Sequence, residues 1–157
     1  MLARARARVP AADFVPGDLR RLPVAGEAVD LVVCALALTH VPALAPVLAE
    51  FARVLRPGGR LVTSDIHVLS LYLGGVAHVA GPGGGVRLLP ASRYLASDYL
   101  TAALAAGFRP LGCFEPRWPA TALAGGPLAR RWCGAAADAV YEAAPAAIIW
   151  QFRRAES

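Results

Sequence analysis

The chain has 157 residues, enough for one domain with a packed core and too few for two comfortable ones. A hydrophobic fraction of 57% and a charged fraction of 17% exclude a disordered protein. The net charge of +5 is carried by arginine with no lysine, and the arginines are scattered without a stripe of interleaved aromatics, which argues against a nucleic-acid-binding face.

Three cysteines, Cys34, Cys113 and Cys133, are too far apart for a CxxC metal site and odd in number for a disulfide framework, so a reducing, cytoplasmic compartment is expected. The opening residues lack the apolar core of a secretory signal. Leu31 to Ala49 is uncharged and about as long as a membrane span, but His40, Pro42 and Pro46 interrupt it. A buried strand followed by a helix explains that run better.

In chain order, Leu2 to Arg8 favours helix, which Pro10 ends. Ala12 to Val15 is a short strand candidate before the turn residues Pro16-Gly17-Asp18. Val29 to Ala35 is the clearest strand, and its apolar character at successive positions predicts burial on both faces. A helix follows from Pro46 to Leu55, with Val47, Leu48, Phe51, Val54 and Leu55 on one face. Pro57-Gly58-Gly59 is expected to stop it, and Arg60 to Ser64 to form the next strand. Strand, helix and strand make a βαβ unit, hence a parallel pair.

Leu69 to Val86 holds six glycines, Gly74, Gly75, Gly81, Gly83, Gly84 and Gly85, and reads as a flexible insertion or lid. No helix opens directly after it, as a phosphate loop would require. A helix with Ser97-Asp98 as N-cap pair runs to Gly107, then a strand from Arg109 to Glu115. Trp118 to Pro127 is irregular, Leu128 to Ala143 is helical, and Ala147 to Phe152 is a final strand. Phe51, Phe108 and Trp150 are core candidates.

Five elements stand in a telling order: Gly17-Asp-Leu-Arg-Arg-Leu-Pro23, Val29-Asp-Leu-Val-Val-Cys-Ala-Leu-Ala-Leu-Thr-His-Val41, the amphipathic helix into Leu55-Arg-Pro-Gly-Gly-Arg-Leu-Val62, Ala105-Ala-Gly-Phe108 and the closing strand. This combination resembles the class I S-adenosylmethionine-dependent methyltransferases, in the type 11-like group, over nearly the whole chain. The resemblance implies an α/β, partial Rossmann-like fold: a mostly parallel sheet with one antiparallel strand near the C-terminus. It also implies that the family's first two strands are missing, together with the glycine-rich loop and the ribose-binding acid, since no GxGxG follows a strand here. The expected division is residues 1–67 as the remaining cofactor side, 68–96 as the glycine-rich insertion or lid, and 97–157 as the C-terminal part. The strand from Val29 would then lie at an open, apolar edge.

The resemblance implies S-adenosylmethionine as cofactor and a small-molecule acceptor. Asp18 would accept from the adenine amino group while Leu19 packs beside it; Cys34 and Ala35 would meet the methionine part through their backbone. The position of Cys34, with no basic neighbour, reads as a small buried thiol. His40, Asp65 and His67 are the candidates for a base or substrate contact at strand ends, and Arg93 and Tyr94 for lining the acceptor pocket. No metal, nucleic acid or membrane partner is expected. The chain alone is expected to be inactive and poorly soluble. The alternative reading is a non-catalytic or split module whose partner chain supplies the missing strands.

Overall fold

The computed structural model describes residues 2–73, 75–118, 139 and 142–156. The predicted helix at 128–143 and Cys133 lie largely or wholly outside them. In order come α1 (Leu2–Arg8), β1 (Val29–Ala35), α2 (Ala45–Val54), β2 (Leu55–Ile66), α3 (Val68–Tyr72), β3 (His78–Ala80), β4 (Val86–Leu88), α4 (Ala96–Ala105), β5 (Phe108–Phe114) and β6 (Ala147–Arg154).

Four strands form one sheet in the order β1-β2-β6-β5. β1 and β2 are parallel, as a βαβ crossover through α2 requires, while β6 runs antiparallel to both β2 and β5. Three strands therefore share a direction and the C-terminal one opposes them, which is the mixed sheet expected. β3 and β4 make a separate two-stranded hairpin inside the glycine-rich segment.

The core lies on one face of the sheet. Leu61, Thr63 and Asp65 of β2 and Ile148, Trp150 and Phe152 of β6 point into it, against Val47, Leu48 and Phe51 of α2 and Tyr99 and Ala103 of α4. Alternation along each strand sends every second residue the other way. Trp150 stacks on Phe152 at 5.3 Å between ring centroids, and Phe108 meets Phe152 at 6.0 Å. Phe51, Phe108 and Trp150 are buried, as their sequence context suggested.

Burial on both faces of β1 does not hold. Leu31 and Val33 are 54% and 65% exposed, and among the described residues only β2 pairs with this strand. β1 is thus the sheet's edge, covered on one side alone. On the same open face Arg60, Arg153 and Arg109 sit side by side across three strands. Such like-charge neighbours repel one another.

Three local expectations are corrected. Residues 12–15 form no strand; most of that stretch is exposed, and no neighbouring strand bonds to it. The helix ends at Val54, and Pro57-Gly58-Gly59 lies within β2. The sheet register slips there, between Val29↔Leu55 and Leu31↔Arg60. Gly58 takes φ +76°, and a Cβ on Gly59 would lie 2.8 Å from the Arg56 carbonyl, so the pair absorbs a bulge that bulkier residues would block. The N-cap of α4 is Leu95, two residues before Ser97; the Asp98 carboxylate accepts from the Leu95 amide at 2.8 Å.

The loop before β1 is stapled to α2. Glu50 accepts from the Leu22 amide at 2.7 Å and from the Arg53 guanidinium, which also donates to the Val24 carbonyl at 2.7 Å. The Arg53 hydrogen bonds hold the Glu50 carboxyl below its ordinary range.

Candidate functional site

Because β1, β2 and β5 run the same way, their carboxyl ends share one edge of the sheet. In open α/β sheets ligands bind outside that edge. Here it carries Cys34 and Ala35 from β1, Asp65 from β2, and His67 and Glu115 just beyond β2 and β5.

β1 leaves the sheet through a strained corner. Leu36 adopts φ +54°, uncommon for a residue with a Cβ, and its amide donates to the Ser64 carbonyl at 2.7 Å. A single 3-10 turn, Leu38–His40, follows. Leu38 is fully buried and anchors the turn in the core.

Asp65 lies buried directly beneath that turn. Its Oδ1 accepts from the Thr39 amide and hydroxyl, both at 3.4 Å, and its Oδ2 accepts from the Tyr99 hydroxyl at 3.2 Å. Burial pushes the carboxyl above its ordinary value, against the hydrogen bonds and nearby His40, which favour the charged form. Cys34 is buried close by, and burial together with the Asp65 charge raises its thiol to about 11. The same burial pushes the Tyr99 phenol up. Cys34 is therefore a small packing thiol, without the thiolate character of a nucleophile.

His40 stands at the exposed rim. Its Nδ1 lies 2.8 Å from the Pro90 carbonyl. A carbonyl can only accept, so Nδ1 carries the proton and, in the neutral ring, Nε2 keeps the free lone pair. The stretch after β4 straps the turn down. Ser92 donates from its amide to the Thr39 carbonyl at 2.7 Å and from its hydroxyl to the Val41 carbonyl at 2.9 Å, and the Tyr94 hydroxyl donates to the same Val41 carbonyl at 2.8 Å. Between turn and strap lies a cleft of about 240 Å³ lined by Thr39, His40, Val41, Pro42, Pro90 and Ser92.

The other candidates have partners of their own. His67 is buried, accepts from the Leu69 amide at 3.2 Å as the cap of α3, and reaches Glu115 at 3.1 Å through Nε2. Both of its ring nitrogens are used within the protein. Arg93 is exposed and lies over the Tyr72 ring, 5.6 Å from its centroid. Tyr94 is half-buried, edge-on to Tyr99 at 6.0 Å. Asp18 is exposed and bound by Arg20 at 2.7 and 3.0 Å, and those hydrogen bonds bring its carboxyl down to about 2. Leu19 packs against the core with Leu22.

The structure thus brings His40 and Asp65 together around the turn and places Tyr94 on the strap that closes it. Thr39, Ser92 and Tyr99 complete this group and were not singled out in the sequence. Thr39 is adjacent to His40, which was the one available signal; the partners of Ser92 and Tyr99 lie 51 and 34 residues away.

Residues 1–63 match the family described as a methyltransferase domain. The fold is shared with solved methyltransferases that use S-adenosylmethionine. One from Mesorhizobium loti aligns with a TM-score of 0.67 at 22% identity, covering 98% of this chain and 76% of its own. One from Methanosarcina mazei aligns with a TM-score of 0.68 at 15% identity, covering 99% and 77%. This chain shares its fold with S-adenosylmethionine-dependent methyltransferases and resembles a methyltransferase domain over residues 1–63. Among curated proteins, the demethylmenaquinone methyltransferase of Beutenbergia cavernae is 42% identical over 65 residues, 41% of this chain and 27% of that protein. The phthiotriol/phenolphthiotriol dimycocerosates methyltransferase 1 of Mycobacterium ulcerans is 42% identical over 65 residues, 24% of its length. The match spans about a quarter of these relatives.

The solved neighbours depend on S-adenosylmethionine, and the residues present here fit that group in part. Ala35 and Leu36 are exposed at the carboxyl edge, and Asp18 offers an exposed carboxylate, held by Arg20, of the kind an amino group seeks. Among the described residues, none of the parallel strands β1, β2 and β5 leads directly into a glycine-rich loop that would approach the nucleoside closely; the glycines at 81–85 cap the separate β3–β4 hairpin.

Proposed function

We propose that this chain supplies the acceptor side of a methyl-transfer site for a small molecule, and that the 157 residues alone do not hold the cofactor tightly enough to turn over. The observation that carries the first part is the cleft between the 38–41 turn and the 90–94 strap, at the shared carboxyl edge of β1 and β2. The second part is supported by the absence, among the described residues, of a glycine-rich loop directly after β1, β2 or β5. The bound cofactor would supply an electrophilic methyl group. Transfer then depends on alignment and on removing the acceptor's proton.

In this reading His40 is the base: its Nδ1 is committed to Pro90, so Nε2 faces the rim free to take a proton. Asp65 is a positioning residue, holding Thr39 from below and with it the turn that presents His40. His67 supports the edge through α3 and Glu115. Asp18 and Leu19 would hold the adenine, Cys34 and Ala35 the methionine part through their backbone, and Arg93 and Tyr94 the far wall of the acceptor site. The insertion at 68–96 would cover the acceptor. Both curated relatives carry names of methyltransferases acting on lipid-like molecules, which supports a largely apolar acceptor here.

A second reading is favoured by one observation, the open flank of β1 with Leu31 and Val33 exposed. In it the chain is one part of a split methyltransferase and pairs through that edge with a polypeptide carrying a glycine-rich loop. Calorimetry with S-adenosylmethionine on the folded chain tests both. The expected result is no measurable heat alone, and binding when such a polypeptide is co-expressed. Micromolar affinity of the chain by itself would overturn the proposal.

A further inference from the structure

The open face of the sheet carries a row of three arginines. Strand pairing sets Arg60 of β2 opposite Arg153 of β6, and Arg153 opposite Arg109 of β5. Neighbouring strands lie about 5 Å apart, so the three side chains leave the sheet within about 10 Å of one another. All three are exposed. Among the described residues none of them makes an ion pair or a hydrogen bond, whereas Arg56 and Arg154 of the same strands are bound to Asp30 and Glu27. Like charges placed directly opposite in a sheet repel and lower its stability, and packing does not call for arginine at exposed positions. A local rule broken without a compensating contact marks a functional position.

The row borders a concavity. Arg109, Arg153, Arg154, Ala155 and Glu156 line a cleft of about 510 Å³, room enough for a small anion. Among the described residues Glu156 is the one carboxylate in its wall, and it lies over Gly58, where a Cβ would come 3.4 Å from its Oε1. Arg154 is already neutralised by Glu27, so the row and Glu156 together leave two positive charges without a counter-charge. A tetrahedral dianion matches that surplus, and its oxygens accept from several guanidinium groups at once. The next row on the same face is Val33, Val62, Gln151 and Gly112, with no aromatic ring on which a nucleic-acid base could stack.

We propose that Arg60, Arg153 and Arg109 form a binding site for the phosphate group of a small molecule, with Arg153 at its centre. In the sequence these arginines are scattered; the pairing of β6 with both β2 and β5 collects them. The row lies toward the amino ends of β2 and β5, about 15 Å along the strands from the carboxyl edge that carries the 38–41 turn. It is separate from the cleft beside His40, and the inference stands whether or not that cleft transfers methyl groups.

Calorimetry of the full chain with inorganic phosphate and with glycerol 3-phosphate, at an ionic strength held constant with sodium chloride, tests it. Both should bind saturably, and the tighter of the two tells whether the source is free phosphate or a phosphate ester. R153Q should weaken binding about tenfold or more, and R60Q and R109Q about threefold to fivefold each. R153K keeps the charge but loses the planar fork and should weaken binding about threefold. E156Q removes the opposing carboxylate and should strengthen it about threefold. In chloride alone R153Q should melt at or above the wild-type temperature, because repulsion is relieved, and it should lose the rise that phosphate gives the wild type. R60Q/R109Q gives the same reading should R153Q misfold. Failure of both anions to bind at about 20 mM overturns the proposal. So does equal affinity for phosphate in the wild type and R60Q/R109Q. Binding of a single-stranded oligonucleotide without any binding of glycerol 3-phosphate would overturn it too, and make the row a nucleic-acid contact.

Discussion

Replacing Asp65 with asparagine isolates the effect of a carboxyl buried under the functional turn. Burial raises the folded-state pKa of Asp65 above its ordinary 3.8. Between those two values the folded chain keeps a proton that the unfolded chain has released. Linkage then makes stability fall by about 1.4 kcal/mol for each pH unit across that window. The contribution is fully present below pH 3.8 and is lost as pH rises through the folded value. D65N has no such titration and nearly the same shape. It can keep an acceptor for Thr39, but it places an amide opposite the Tyr99 hydroxyl, a loss of about 1 kcal/mol at every pH. The prediction therefore concerns slope: the stability of D65N minus that of wild type should grow as pH is raised from about 4 toward neutrality. Urea denaturation followed by circular dichroism across that range measures it. Curves for the two proteins that stay parallel to within about 0.5 kcal/mol would refute the raised carboxyl, since no other titrating group differs between them.

Y99F should destabilise the chain by about 1–2 kcal/mol, more on the alkaline side where the carboxylate needs its donor, as read by the same denaturation assay. G58A, at φ +76°, should cost about 1–2 kcal/mol; G59A should cost more, because its Cβ would meet the Arg56 carbonyl at 2.8 Å. Both are checked by thermal melting. In peptide-mapped alkylation near pH 8, exposed Cys113 should label well before Cys34, whose thiol is buried and raised to about 11. Under the proposed function, H40A in a reconstituted enzyme should lower kcat about a hundredfold with little change in KM for the acceptor, measured by methyl transfer to that acceptor.

The elements that were legible in the sequence are those whose signal is local. Val29 to Ala35 is a run of strand-forming apolar residues, and the spacing of Val47, Leu48 and Phe51 marks one helix face, so β1, α2 and their parallel crossover follow. The bulge at Gly58-Gly59 was not legible, because Pro-Gly-Gly is also the ordinary signature of a helix stop. What decides it is that Leu55 sits opposite Val29, a tertiary fact. Likewise β1 carries the composition of a strand covered on both sides, and nothing within seven residues says how many neighbours it has. At the site, strand-end position pointed to His40, Asp65 and His67. It could not separate a histidine with a free nitrogen from one whose two nitrogens are spent on a helix cap and a carboxylate. That distinction rests on Pro90 and Glu115, some fifty residues distant in each case.

The placement of β6 has a consequence for how the molecule comes into being. β5 and β2 do not touch as neighbours; β6 lies between them and pairs with both. Yet it is the latest of the four strands in the chain. During synthesis β1, α2 and β2 can assemble as they leave the ribosome, while β5, among the described residues, finds its strand partner only when residues 147–154 emerge. Until then the inner flank of β2 stays bare for tens of residues of translation. The nascent chain is most exposed to aggregation in that interval, and a chaperone would have most to do.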